Sequence, residues 1–332
     1  TGERLISANV YETEKMSGTV TNFYGFYSLT LQAGKVNIRY SFVGYQPVEK
    51  QIELDKDTII TVTLTPSLEL AEVTVTDNRN EQKIRSTQIS INEVPVKTIK
   101  NLPVLLGETD VLKTIQLLPG VQSGTEGTSG LYIRGGGPDQ NLILLDGVPV
   151  YNVSHLFGFF SVFNADAIQS IKLIKGGFPA RYGGRLSSVL DIRMKEGNNK
   201  ERKISGSIGL ISSRLTFESP IIKDRTSVIV SARRTYVDVL AWPIINIIKK
   251  MEDYEKLRAG YFFHDVNAKI NHKFSDRSRL FVSTYLGQDK AYYNEEYKWE
   301  TDYYHDKFSL RWGNITTALR WNYMFNNKLF SN

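Results

Sequence analysis

The chain has 332 residues, 41% of them hydrophobic and 23% charged, which excludes a disordered composition and leaves room for two or three domains. Mean hydropathy is −0.27 and no apolar run approaches the ~18 residues of a membrane-spanning helix, whereas a spanning strand of ~9–11 residues with alternate apolar positions stays open. There is no cysteine, hence no disulfide or thiolate metal site, and the net charge of +6 is scattered without a basic block, which argues against nucleic acid as a partner.

Residues 1–66 form a first zone. The alternating runs Leu5–Tyr11, Phe26–Leu31, Lys35–Val43, Val48–Leu54 and Thr58–Leu64 are separated by Gly18, Gly25, Gly34, Gly44 and Pro47. Strands recurring at this interval predict a small β-sandwich. Successive strand side chains point to opposite faces, so Tyr27, Leu29 and Leu31 are set against Phe26, Ser28 and Thr30, and are the better core candidates.

Residues 67–101 read as a polar connector. Its stretch Asp77-Asn78-Arg79-Asn80-Glu81-Gln82-Lys83 has no apolar residue and cannot bury a core. Just before it, Glu72-Val73-Thr74-Val75-Thr76 is strand-prone and offers a free edge to some sheet. An ordinary linker strand, or the last strand of the first domain, is the other reading.

Residues 102–196 read as a small mixed α/β domain. Leu105–Leu118 has helical spacing, with Val111, Leu112, Ile115 and Leu118 on one face, and Pro119-Gly120 stops it. Strand-like runs follow at Leu131–Arg134, Asn141–Leu145, Ile168–Lys175 and Ser188–Met194. Between residues 120 and 184 lie 13 of the 25 glycines, so the backbone there must turn often.

Residues 197–332 change character. They hold 22 of the 38 aromatic residues, in long alternating segments. Val266, Ala268 and Ile270 alternate with Asn267, Lys269 and Asn271; Ile315, Leu319, Trp321 and Tyr323 alternate with Thr316, Arg320 and Asn322. Strands are expected at roughly 203–219, 226–239, 262–274, 278–289 and 305–325, with a sixth from Leu329. Short polar turns alternate with long loops at about 241–261 and 289–303. One short and one long end, with one apolar and one polar face, is the pattern of a transmembrane β-barrel; a soluble antiparallel sandwich is the alternative.

Four motifs occur in order: Leu118-Pro119-Gly120-Val121, Tyr132-Ile133-Arg134-Gly135-Gly136, Leu145-Asp146-Gly147-Val148-Pro149, and Lys175-Gly176-Gly177-Phe178-Pro179-Ala180-Arg181-Tyr182-Gly183-Gly184-Arg185. Together they resemble the plug domain of TonB-dependent receptors. Residues 1–66 resemble the carboxypeptidase-regulatory-like domain that precedes the plug in Bacteroidetes receptors, Glu72, Val73, Thr74, Val75 and Thr76 resemble the TonB box, and residues 197–332 resemble the first five to six barrel strands. Two departures stand out: the strand Ile171-Lys172-Leu173-Ile174-Lys175 lacks the acidic residues common in family plugs, and the connector lacks the longer signature of glycan importers.

The resemblance implies import of a ligand across the outer membrane, with the N-terminal domain in the periplasm. The implied partners are a TonB-type energy-transducing protein, outer-membrane lipid, an imported ligand of unknown identity and, in some relatives, a surface lipoprotein or other envelope-complex subunits. The alternative is a receptor-like barrel serving as a non-transporting structural subunit. A plug inside a polar lumen must be held by polar contacts, which makes Arg134, Arg181 and Arg185 candidates to pair with barrel carboxylates. Of Arg233 and Arg234, alternation lets one face the lumen. Gly120, Gly135, Gly136, Asp146, Gly147, Gly176, Gly177, Gly183 and Gly184 are the expected plug turns. Too few strands are present to close a barrel, and Thr1-Gly2-Glu3 reads as a turn after a lost strand, so a chain cut at both ends is expected.

No catalytic residue, metal site or cofactor is expected. His155, His264, His272 and His305 form no tight ligand spacing, and no G-x-S-x-G elbow or complete phosphate loop occurs. His264 and His272 are expected at the lipid edge, and Phe157-Gly158-Phe159-Phe160 in the plug core or along a substrate route.

Overall fold

The computed structural model describes the chain except for residues 1–3, 6–7, 15–16, 23–24, 43–44, 67–90, 95, 97–98, 100–106, 125–129, 253, 301 and 327–328. The segment Glu72–Thr76 lies outside the described residues. Two compact units result, one built mainly on residues 2–89 and one on residues 90–274 and 280–320.

In the first unit, β1 (Asn9–Glu12), β2 (Gly18–Val20), β3 (Gly34–Ser41) and β4 (Val48–Leu54) form an antiparallel sheet in the order β2-β1-β3-β4. Val10, Val36, Ile38 and Tyr40 alternate onto its buried face. Tyr27, Leu29 and Leu31 pack on that face together with Ile60, Val62 and Leu64. These two segments supply the apolar cover expected of strands without carrying a ladder of their own. Tyr27 anchors the cover: its hydroxyl lies 3.0 Å from that of Tyr40 and donates to the Ile60 carbonyl at 3.0 Å.

The central domain contains β5 (Ile91–Val94), helix α1 (Val111–Gln116), β6 (Val121–Gln122), β7 (Tyr132–Ile133), β8 (Asn141–Leu145), β9 (Val148–Pro149), β10 (Ser154–His155), β11 (Phe160–Ser161), β12 (Ile168–Ile174) and β13 (Ser188–Met194). The main sheet runs β5-β12-β13-β8-β9, with β13 and β8 parallel and the other pairs antiparallel. It therefore reaches back to Ile91, into residues expected as connector, because β5 pairs with β12 along Ile171–Ile174. α1 is shorter than the expected Leu105–Leu118, because Asp110 caps it by accepting from the Lys113 amide at 3.0 Å; it buries Val111, Leu112 and Ile115 of the predicted stripe, while Leu118 lies beyond its end and packs half-buried on the same core. Asp146 (φ 50) and Gly147 (φ 87) form the two-residue turn between β8 and β9, where two left-handed residues match the twist of the strands.

The third region is a seven-stranded sheet in sequence order: β14 (Lys203–Ile208), β15 (Ser212–Ile222), β16 (Thr226–Thr235), β17 (Lys256–Ser275), β18 (Ser278–Trp299), β19 (Asp302–Met324) and β20 (Phe330–Ser331). Three expectations are corrected here. The run 203–219 is two paired strands, because the Gly209 amide closes a turn onto the Ser212 carbonyl at 2.8 Å. The expected loop 289–303 is mostly strand, since β18 runs on to Trp299 and β19 begins at Asp302. The other expected loop holds helix α2 (Val237–Met251). The face assignments hold: Asn267, Lys269 and Asn271 are buried, whereas Val266, Ile270, Ile315 and Leu319 are exposed.

Candidate functional site

The central domain and the strands β15–β19 meet along a polar seam within one unit. Its hub is His155, at the end of β10. Nδ1 lies 2.6 Å from Asp289 Oδ2 and Nε2 lies 2.8 Å from Asp265 Oδ1, with the ring stacked on Phe263 at 4.0 Å. Asp265 and Phe263 belong to β17 and Asp289 to β18. Carboxylates only accept, so both ring nitrogens donate and the imidazole is the cation. Burial alone would depress its pKa; the charge and hydrogen bond of Asp265, with that of Asp289, hold it above the ordinary histidine value.

The chain leaves His155 through two left-handed residues, Leu156 (φ 49) and Phe157 (φ 53). Such conformations cost about 1–3 kcal/mol each and persist only when the surroundings over-determine them. Here the Leu156 amide donates to the Tyr261 hydroxyl at 2.7 Å and to Asp289 Oδ1 at 3.1 Å, while the Tyr261 hydroxyl itself donates to Asp289.

Arg233 on β16 continues the seam. Nε and Nη2 reach Asp265 Oδ2 at 2.8 and 2.5 Å, Nη2 also donates to the Ser161 carbonyl at 2.8 Å, and Nη1 lies 3.4 Å from Glu108 of the central domain. Ser212 donates to the other oxygen of Glu108, and the Tyr285 hydroxyl donates to Asp265 at 2.8 Å. The cluster sets three carboxylates (Glu108, Asp265, Asp289) against two cations (His155, Arg233), all buried, a balance of −1 with His155 charged. A neutral His155 would leave −2 in the same buried space, which is a second reason for its protonation.

A second junction holds the β8–β9 turn. Lys269 of β17 lies 3.1 Å from Asp146 Oδ2 and donates to the Met194 carbonyl at 3.0 Å, and Arg320 of β19 donates to the Asp146 carbonyl at 3.0 Å. Burial opposes the Asp146 charge, but Lys269 and Arg193 outweigh it and hold the carboxyl below its usual range. Further along, Asn271 donates to Glu196 at 3.1 Å, Arg214 pairs with Asp166 at 3.0 Å and Asn164 donates to Ser231 at 2.8 Å.

The predicted residues are distributed unevenly. Arg233 lies in the seam and Arg234 is exposed on the opposite face, paired with Asp238 at 2.9 Å. Arg181 lies over the Tyr182 ring at 4.9 Å, Arg185 donates to the Gly184 carbonyl at 3.1 Å, and Arg134 takes a left-handed turn (φ 49) beside Gly176. These contacts stay within the central domain. The expected polarity is largely reversed: Glu108, Asp146 and Asp166 of the central domain meet Arg233, Lys269 and Arg214 of the sheet. Lys172 and Lys175, in place of acidic residues, find Glu93 at 4.0 Å and the Pro119 carbonyl at 2.6 Å. Of the expected turns, Gly120, Gly135, Gly147, Gly176, Gly177 and Gly184 have positive φ, whereas Gly136 is required by space, since a Cβ there would collide with Ser187. A Cβ on Gly183 would meet nothing within 4 Å.

Sequence reasoning missed His155, Asp265 and Asp289. One signal existed for the aspartate of β17: it extends the inward-facing set Asn267, Lys269, Asn271 by one alternation. His272, in the same alternation as the exposed Val266 and Ile270, bonds Thr226 of the neighbouring strand at 2.7 Å, and Phe160 is buried while Phe157 is exposed against Trp312.

Comparison with known proteins agrees with this architecture. Residues 83–188 match the TonB-dependent Receptor Plug Domain family and residues 1–75 the CarboxypepD_reg-like domain family. TonB-dependent receptor P39 of Formosa agariphila is 30% identical over 59% of this chain and 19% of its own length. TonB-dependent receptor SusC of Bacteroides thetaiotaomicron is 28% identical over 60% of this chain and 20% of its own length. Vitamin B12 transporter BtuB of Vibrio vulnificus is 31% identical over 39% and 21%. The chain thus spans about a fifth of the length of the curated relatives it matches. A CarboxypepD_reg-like domain, a plug and the first strands of a barrel follow one another in this order, and the chain belongs to the TonB-dependent receptors of the outer membrane.

Proposed function

We propose that this chain gates the energised import of a ligand across the outer membrane, with the plug as the gate. The observation that supports this reading is the seam itself: the plug is held to the barrel strands by His155–Asp265–Asp289, Glu108–Arg233 and Asp146–Lys269. Paired charges and hydrogen bonds can exchange protein partners for water as a seam opens, whereas an apolar seam would lose its whole contribution on exposure.

In this reading a TonB-type partner adds Glu72–Thr76 to its own sheet by strand pairing and pulls on the plug from the periplasm. Relatives that share this region are named for vitamin B12 and for ferrienterobactin. Those cargoes are chemically unlike, so the plug is read as a common gate, with the cargo selected by the rest of the barrel.

The test uses full-length receptor in membranes and the C-terminal domain of the transducing partner. Val73→Pro removes a backbone donor and resists the extended pairing, so capture by the partner is expected to be lost. Equal capture of wild type and Val73→Pro would sink the coupling mechanism and favour a non-transporting subunit.

A further inference from the structure

The helix α2 inverts the usual arrangement of a surface helix. Its half-buried positions Asp238, Ala241, Ile245 and Lys249 recur at helical spacing and face the protein. The side turned away carries Val239, Leu240, Trp242, Ile244, Ile247, Ile248 and Met251, all exposed. A helix in water places its apolar stripe inward. At 15 residues it is about 22 Å long, too short to cross a bilayer.

The face of the sheet that α2 joins is fixed by alternation. Arg233 turns inward to the plug, so Arg234 turns outward; likewise Phe263 and Asp289 point inward, and Phe262 and Lys290 outward. The outward set is packed together: Arg234 over Phe262 at 4.6 Å, and Lys290 over Phe262 and Tyr292 at 5.8 and 5.5 Å. Asp238, in the first turn of α2, pairs with Arg234, and a Cβ on Gly260 would meet both the Tyr292 ring and Asp238. The helix therefore begins on the outside of the barrel wall. Along the same strands, that outside continues into the exposed apolar residues Val230, Val266 and Ile270.

We propose that α2 is an in-plane anchor in the outer leaflet, its exposed apolar side in the acyl boundary, with Arg258, Lys290 and the terminal Lys249-Lys250 meeting the phosphates of anionic lipid. The occupant is lipid because the helix extends the outward face of the barrel, whose residues Val230, Val266 and Ile270 are exposed and apolar, and because Arg258 and Lys290 lie on that same face. Helices of this kind sit roughly 5–10 Å deep and gain from both apolar burial and anionic headgroups. The inference goes beyond import and rests only on the outward face of the barrel meeting lipid.

The test is a spin label on Ile247→Cys in full-length receptor, reconstituted into vesicles of phosphatidylethanolamine and phosphatidylglycerol. Collision with dissolved oxygen reports lipid, and collision with a water-soluble nickel chelate reports water. The ratio of oxygen to nickel collisions is expected to be several-fold higher at Ile247 than at a label on Lys298, near the tip of the β18–β19 hairpin. Replacing phosphatidylglycerol by phosphatidylcholine, or combining Arg258→Gln with Lys290→Gln, is expected to raise nickel access at Ile247, and inorganic phosphate is expected not to reverse it. Heat-modifiable mobility on gels verifies that each sample is inserted. Equal ratios at Ile247 and Lys298 would overturn the proposal. So would shielding of Ile247 from both reagents, which means a protein partner covers it, or recovery with inorganic phosphate, which means free anion is the ligand.

Discussion

His155 Nε2 of the plug lies 2.8 Å from Asp265 Oδ1 of the barrel strand β17, and both residues are fully buried. The same Asp265 also accepts from Arg233 and Tyr285, so one carboxylate ties a plug hairpin to three neighbouring barrel strands. Loss of either cation, His155 or Arg233, removes compensation from buried carboxylates, and the consequences can be measured.

The first consequence is a pH dependence. The folded-state pKa of His155 is raised above its ordinary value, so its contribution to plug docking is fully present below that ordinary value of about 6.5 and is lost as pH rises through the folded value. Amide hydrogen exchange across residues 154–161 of the full-length receptor, corrected for intrinsic rates, is expected to quicken as pH rises through the raised folded-state value. His155→Gln removes the titration, so exchange in that variant should vary little with pH. A wild type without that rise would refute the cationic assignment.

Arg233→Met strands Glu108 and Asp265 together. Breaking a buried pair from one side costs about 3–5 kcal/mol, and the urea midpoint for plug release should fall accordingly. Combined with Glu108→Gln, the double-mutant cycle is expected to show a coupling of about 0.5–3 kcal/mol. Additive effects would place the two residues in separate contacts.

Gly147→Ala meets two obstacles. Its φ of 87° is unfavourable for alanine, and the added Cβ would approach Arg320 Nη2 at 3.0 Å and Arg193 Nη1 at 3.5 Å. A loss of about 1–3 kcal/mol in plug docking is expected, read as faster exchange at Asp146 and Met194. Unchanged exchange would mean that the turn relaxes without disturbing Lys269 and Arg320.

Tyr285→Phe removes one hydroxyl that donates to Asp265 while its ring still packs in the plug core. A hydrogen bond to a charged group contributes about 1.5–3 kcal/mol, so a loss at the low end is expected, because His155 and Arg233 remain on the same carboxylate. A thermal melt of the full-length receptor gives the comparison, and a loss as large as that of Arg233→Met would contradict this division of labour.

The sequence alone determined what depends on neighbours along the chain. The period of two on β17 separates Val266 and Ile270 from Asn267 and Lys269, and Asp146-Gly147 specifies its hairpin turn, because both are set by local backbone geometry. The TonB-dependent receptor resemblance likewise rested on short contiguous motifs. The helix α2 was hidden because Pro243 and a run of isoleucines lower helix propensity. Only the tertiary structure decided the seam. His155 stands 110 residues from Asp265 and 134 from Asp289. A lone histidine in an apolar run carries no local sign of its partners; which charges face one another is set where the plug's loops meet the barrel's inward side chains, and burial then makes that pairing obligatory.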